Sequence, residues 1–241
     1  MIVFTGLEWI VFDVDGVLVD VSESYDEVVR RTVDHWLDIC GCDYELSLET
    51  VRELRVKGEF PDDYKLSEAL IIEGLSGGSL DDIGERFPRG EDIGWFKKRS
   101  ETSIREKKVQ EIFDSYYFGG KEEEGLWKKE TPSVDVELLI RLKESGDYKL
   151  GVVTSRSEEE LQMAESILGF EFENRVTREV ARKPDPRALK YITLDGKGVY
   201  IGDTHVDRSL VENYNDIGGD FEFVMVGEDI SDLNDFLKNL F

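Results

Sequence analysis

Cysteine is almost missing from this chain. Cys40 and Cys42 stand two positions apart in 241 residues, so no disulfide framework can form and a reducing, cytoplasmic setting is expected. Histidine is as scarce. With no second cysteine pair and His205 far away, His35, Cys40 and Cys42 read as a reduced helix end, not a zinc cluster. No apolar run approaches the roughly 20 residues of a membrane-spanning helix. The opening stretch Met1–Glu8 has no basic region before its apolar residues, unlike a secretory signal. Positive charge is also in deficit: 30 Lys and Arg face 54 Asp and Glu, a net charge of −24. Such a chain lacks the basic face that displaces counterions from nucleic acid, and it is ill suited to an anionic membrane. A small anionic ligand stays compatible if its site carries its own cations. Gln110 and Gln162 are the only glutamines among many Glu and Lys, a bias that resembles heat-adapted composition.

What is present reads as an ordinary globular chain, 40% hydrophobic and 11% aromatic, long enough for one large domain or two modest ones. Trp9–Val14 is an apolar, β-branched run that suits a strand buried on both faces, and it ends in the turn signal Asp15-Gly16. Residues of about 21–130 read as helical. Ser24-x-x-Glu27 has the spacing of a capping box, with Val28, Thr32, His35, Trp36 and Ile39 at helical intervals and Gly41 suited to the C′ position. Further helices are expected after Ser47, from Asp63 to about Glu73, from Leu80 to Phe87, and from about Glu101 to Tyr117 with Ile104, Lys108, Ile112 and Tyr116 on one side. Lys121–Gly125 reads as an exposed linker.

The remainder alternates. A helix is expected over Pro132–Glu144, a strand at Leu150–Thr154, a helix capped by Ser157-x-x-Glu160 and ending at Gly169, and a strand at Val199–Gly202. A helix follows across Val206–Tyr214, then a strand at Phe221–Val226 and a final helix over Ile230–Leu240. This pattern implies βαβ units and a parallel sheet. The fold class is therefore α/β, a Rossmann-like parallel sheet with helices on both faces plus an inserted all-α domain. The expected division is 1–20 with 131–241 as the core and 21–130 as the insertion.

Ligands of an open parallel sheet bind beyond the carboxyl ends of its strands. The residues placed there are Asp13-Val14-Asp15-Gly16, Thr154-Ser155-Arg156 and Gly202-Asp203-Thr204-His205-Val206-Asp207, with Arg182-Lys183-Pro184 ahead of a helix. Carboxylates, a hydroxyl and a cation thus arrive at one edge. Asp13-x-Asp15-Gly16-Val17, the strand-end Thr154, Lys183-Pro184 and Gly202-Asp203-Thr204-x-x-Asp207 resemble, in order, the four motifs of the haloacid dehalogenase superfamily. The helical insertion resembles its C1-type cap, as in phosphoglycolate-phosphatase-like members.

The resemblance implies a phosphatase. Asp13 would be the nucleophile that forms an aspartyl phosphate. Mg²⁺ would be held by the carboxylates of Asp13 and Asp203 and the backbone carbonyl of Asp15. Asp15 would act as general acid and then general base. Thr154 and the N–H groups around Ser155 would hold phosphoryl oxygens, and Lys183 would neutralise charge on Asp13 and the phosphoryl group. Asp207 would reach the metal through water or orient Lys183. Taken alone, Asp13 and Asp15 read as turn residues, Thr154 as a cap and Lys183 as a surface lysine. Arg156 could assist the phosphate or pair with a surface acid, the surface pair being favoured, and His205 is expected to be exposed rather than catalytic.

Asp20, Ser22, Glu23 and Tyr25 are candidate substrate contacts, and Arg99 or Arg105 could meet an anionic substrate end. The expected partner is a small phosphorylated metabolite, with no nucleic acid or membrane and a monomeric or homodimeric state. Two alternatives stay open: a phosphomutase of the same superfamily, and a non-catalytic binding protein on the same fold. A dehalogenase is disfavoured because Asp15 is present.

Overall fold

A computed structural model of the protein describes residues 6–42, 46–57, 60, 62–77, 105–121 and 123–241. β1 (Trp9–Phe12) is buried at every position, as an unbroken apolar run requires of a strand covered on both faces. It pairs in parallel with β4 (Lys149–Val153) on one side and β6 (Lys197–Gly202) on the other. β5 (Asn174–Val176) adds beyond β4 and β7 (Asp220–Met225) beyond β6, giving the parallel order β5-β4-β1-β6-β7. The chain winds outward from β1 in one direction and then in the other, so the order reverses at β1. That reversal opens a crevice beyond the carboxyl ends.

Alternation sends the side chains of β1 to both faces. Trp9 and Val11 join Val153, Val176, Leu189, Tyr200, Leu210 and Tyr214 in a core shared with the helices Arg187–Thr193 and His205–Asp216. On the other face Phe12 meets Phe172, with 6.1 Å between ring centroids. The helix Val136–Ser145 buries Leu138, Leu139 and Leu142.

The chain divides into two compact units, Met1–Asp20 with Thr131–Phe241, and Val21–Glu130. The first unit also carries a two-stranded antiparallel ribbon, β2 (Val19–Asp20) with β3 (Thr131–Pro132), at the two points where the chain leaves it and returns. The second unit is built from the helices Tyr25–Ile39, Leu48–Lys57, Asp63–Leu75 and Glu106–Tyr117. Gly74 lets the third of these approach the first: a Cβ there would lie 2.9 Å from Leu37 Cδ2. Tyr25 stacks on Tyr117 at 4.7 Å, and Tyr64 meets Phe113 at 4.8 Å. Among the described residues, no helix is long and apolar enough to cross a membrane.

Several local expectations change. Ser24 precedes its helix but makes no side-chain cap. Its hydroxyl donates to Glu130, 3.0 Å away, and Glu27 is taken by Arg30 and Arg31, so the box spacing serves other bonds. The buried stripe of that helix is Val28, Val29, Thr32, Val33 and Leu37; Ile39 is exposed. Likewise Val109, Ile112, Phe113 and Tyr117 are the buried face of Glu106–Tyr117, one step round from the expected one. Pro132 lies in β3, and the following helix starts only at Val136, capped by Asp135. β5 was not anticipated, being only three residues long. The expected Leu80–Phe87 helix, Arg99 and Ile104 lie outside the described residues. The Ser157/Glu160 capping box and the left-handed Gly169 stand as expected.

Candidate active site

Three adjacent strands end together. Asp13 follows β1, and its N–H donates to the Ile201 carbonyl of β6 at 2.8 Å; Thr154 follows β4, and its N–H donates to Val176 at 2.9 Å. Gly202 closes β6, with Asp203 next. The fourth contributor, Lys183, precedes the helix Arg187–Thr193, and Asn213 Nδ2 ties its loop to the helix His205–Asp216 through the Pro184 carbonyl at 3.0 Å.

The Lys183 ammonium is almost wholly buried and sits between two carboxylates, 2.9 Å from Asp13 Oδ2 and 2.7 Å from Asp207 Oδ1. Asp207 is saturated. Its Oδ1 also lies 3.0 Å from the Tyr200 hydroxyl, and its Oδ2 accepts from Thr204 N–H at 3.1 Å and Thr204 Oγ1 at 2.5 Å. Asp13 is not: among the described residues its buried Oδ1 accepts no hydrogen bond. Burial pushes the Asp13 carboxyl well up; Lys183 opposes this, while Asp207, Asp203 and Asp15 add to it. Burial works against the Lys183 charge, yet Asp13 and Asp207 hold its ammonium above the usual range. Burial thus dominates the Asp13 shift, with the neighbouring carboxylates adding to it, whereas those carboxylates outweigh burial at Lys183.

Asp15, two residues beyond Asp13, is held by a different cation. Arg156 donates through Nε at 2.8 Å and Nη2 at 2.6 Å, both to Asp15 Oδ1. The Arg156 backbone N–H donates to Thr154 Oγ1 at 3.1 Å, which leaves the threonine's own proton to donate elsewhere. Thr154 is fully buried and Ser155 exposed.

One carboxylate oxygen each from Asp13, Asp203 and Asp207 lies within 4.8 Å of the others. Because Asp207 has no oxygen to spare, the donors suited to a cation are Asp13 and Asp203. Gly16 makes room for the latter. It adopts φ +73°, and a Cβ there would stand 2.0 Å from Asp203 Oδ2. Surplus negative charge, an unbonded buried carboxylate oxygen and all-oxygen donors fit a hard divalent ion.

The family model of haloacid dehalogenase-like hydrolases matches residues 7–207, which include Asp13, Asp15, Thr154, Arg156, Lys183, Asp203 and Asp207. The chain belongs to the haloacid dehalogenase-like hydrolases. It is 48% identical to phosphatase Tt82 from Thermococcus thioreducens, covering 96% of this chain and 98% of that one, with a TM-score of 0.84. Two more distant structures share the fold. One, a candidate haloacid dehalogenase-like hydrolase from Bacteroides fragilis, is 15% identical over 95% of this chain and 90% of that one, with a TM-score of 0.58. The other, a candidate phosphoglycolate phosphatase from Lactobacillus plantarum, is 15% identical over 91% of this chain and 86% of that one, with a TM-score of 0.55. No curated protein matches the chain.

In this haloacid dehalogenase-like hydrolase, Asp13, Asp203, Asp207 and Lys183 converge, and Asp15 and Thr154 are joined through Arg156. Asp207 bonds Lys183 directly. His205 is exposed. Asp20 ends β2 and is exposed, Ser22 is half-buried and Glu23 exposed. Tyr25 is packed into the helical unit, with Tyr117 on its ring and the Arg55 guanidinium 5.4 Å from the ring centre. Arg105 is exposed at the start of its helix. Arg156 corrects the expectation of a surface pair: its side chain is 0% exposed. Its place two residues past a strand end, beside Thr154, was the available signal. Tyr200 was missed altogether. A phenol in a strand buried on both faces needs a partner for its hydroxyl, and this one has Asp207 and the Val153 carbonyl, 2.9 Å away.

Proposed function

We propose that the protein is a Mg²⁺-dependent phosphatase that hydrolyses a small phosphate monoester through an aspartyl phosphate on Asp13. The observation that carries this reading is the asymmetry of Asp13: one oxygen is pinned by Lys183, and the other is buried with no hydrogen bond among the described residues. A carboxylate with one oxygen on a buried ammonium and the other left unoccupied is equipped, in its ionised form, to attack phosphorus. The 48% identity to a protein named a phosphatase supports the same chemistry.

In this reading Thr154 donates to a phosphoryl oxygen, and Lys183 offsets charge as the Asp13–phosphorus bond forms. Asp15 protonates the departing alcohol and later removes a proton from the water that cleaves the aspartyl phosphate. When bound, Mg²⁺ on Asp13, Asp203 and the Asp15 carbonyl supplies the positive charge that lets an anionic phosphoryl group approach these carboxylates. Asp207, Thr204 and Tyr200 keep Lys183 in place. The inserted helical unit serves as a cap that selects the leaving group.

Rapid-quench mass spectrometry of the peptide spanning residues 13–15 tests the reading, with Mg²⁺ and an aryl phosphate. Wild type is expected to show a transient added phosphoryl group, Asp13→Asn none, and Asp15→Asn a long-lived one. A phosphoryl group on the peptide of Asp13→Asn would refute it.

A further inference from the structure

Among the described residues, Arg156 is the largest fully buried side chain. Arginine is almost never found fully buried unless it is paired, and here every part of the residue is engaged. Nε and Nη2 meet a single oxygen, Asp15 Oδ1, and Nη1 donates to the Glu160 carbonyl at 3.1 Å. The backbone N–H is bonded to Thr154 Oγ1, and the carbonyl accepts from Arg178 N at 3.0 Å. The guanidinium is a planar fork whose direction is set once two of its nitrogens are bonded, and the carbonyl of a capped helix start fixes it from behind. It therefore joins the loop after β4 to the loop after β1 with little freedom on either side. Asp15, 20% exposed, is the only member of this contact that reaches solvent.

We propose that Arg156 is the positioning residue of the proton-transferring carboxylate, pinning Asp15 through Oδ1 so that Oδ2 alone exchanges the proton. The proposal rests on the phosphatase reading above and adds to it a division of labour: Lys183 serves Asp13, and Arg156 serves Asp15. In the first half-reaction the Oδ2 proton passes to the leaving oxygen as its bond to phosphorus breaks and the Asp13–phosphorus bond forms. In the second, Oδ2 takes a proton from water as the water oxygen bonds phosphorus and the Asp13–phosphorus bond breaks. Oδ1 stays on the guanidinium throughout, so the carboxylate presents one oxygen from one direction in both halves.

A residue that acts through Asp15 is recognised by two signatures that general loss of structure does not share. The first is leaving-group dependence, because protonation matters most for a poor leaving group. The second is that its effect vanishes when Asp15 is already gone. Arg156→Met and Arg156→Lys are made in the full chain, each with Asp15 and with Asp15→Asn, and assayed with Mg²⁺ on p-nitrophenyl phosphate and on an alkyl phosphate. Arg156→Met is expected to lower kcat on the alkyl ester about 10- to 100-fold, within the range of general acid–base catalysis. KM should change less than about threefold. Phosphoenzyme formation from the aryl ester should fall about tenfold less, and the phosphoenzyme should accumulate. Arg156→Lys keeps the charge without the fork and should lie between. In the Asp15→Asn background either change should cost less than about twofold.

Equal losses in the rate of phosphoenzyme formation from the two esters, or the same loss with and without Asp15, would overturn the proposal and leave the phosphatase reading standing. If Arg156→Met does not fold, the Arg156→Lys cycle decides alone. Wild type that neither releases phosphate nor forms a phosphoenzyme would overturn the phosphatase reading and this proposal with it.

Discussion

Lys183→Met isolates what the buried ammonium does, because methionine keeps most of the apolar stem and removes the charge. In the wild-type protein that charge lies 2.9 Å from Asp13 and 2.7 Å from Asp207, with all three side chains 6% exposed or less. Removing one partner of a buried ion pair costs about 3–5 kcal/mol, since the charge left behind has lost its water and gained nothing. Here two carboxylates are left facing each other, so the upper part of that range is expected in metal-free buffer near neutral pH.

The pH dependence has a definite sign. Lys183 is the one influence that lowers the Asp13 pKa; burial, Asp207, Asp203 and Asp15 all raise it. Without the lysine, the folded-state value rises further above the unfolded value of about 3.9. Stability from such a group is fully present below the unfolded value and is lost as pH rises through the folded one. The deficit of Lys183→Met should therefore be smallest in acid, near the unfolded value, and grow as pH rises, as urea unfolding read by tryptophan fluorescence would measure. Adding Asp207→Asn should recover part of it by removing one of the two stranded charges. A deficit under about 1 kcal/mol at neutral pH, or one that does not change with pH, would refute the assignment of Lys183 as the counter-charge of this crevice.

Three further outcomes are expected. Mg²⁺ should raise the melting temperature of the wild type and restore activity after EDTA, and Asp203→Asn should abolish the thermal shift while folding normally; an undiminished shift would remove Asp203 from the metal site. Gly16→Ala should destabilise the protein by about 1–3 kcal/mol, because its φ of +73° disfavours a side chain and the new Cβ would collide with Asp203 Oδ2, and it should weaken the Mg²⁺ response more than Asp15→Asn does. In the helical unit, bonds from Arg30 and then Arg31 hold the Glu27 carboxyl down from 4.5 to about 2. Its contribution should be present above pH 4.5 and lost as pH falls toward 2, so unfolding curves of wild type and Glu27→Gln, about 1 kcal/mol apart at neutral pH, should converge in that window.

Local sequence specifies the parallel α/β core. An apolar run such as Trp9–Phe12 has few ways to hide both faces except between flanking strands and under helices, and a Ser-x-x-Glu box such as 157–160 satisfies its own N–H groups locally. It also determined which residue types arrive at the strand ends, because strand ends are local features. Tertiary structure decided how those residues pair. The same Ser-x-x-Glu spacing at 24–27 makes no cap, since Glu130, more than a hundred positions away, offers Ser24 a buried acceptor. The β2–β3 ribbon has only two residues a side and no periodicity to read. Composition places arginine on the surface, yet Arg156 is wholly enclosed because Asp15 and the Glu160 carbonyl meet its nitrogens there. A buried charge is stable only where partners from distant parts of the chain converge on it, and such convergence belongs to the folded chain rather than to any local stretch of it.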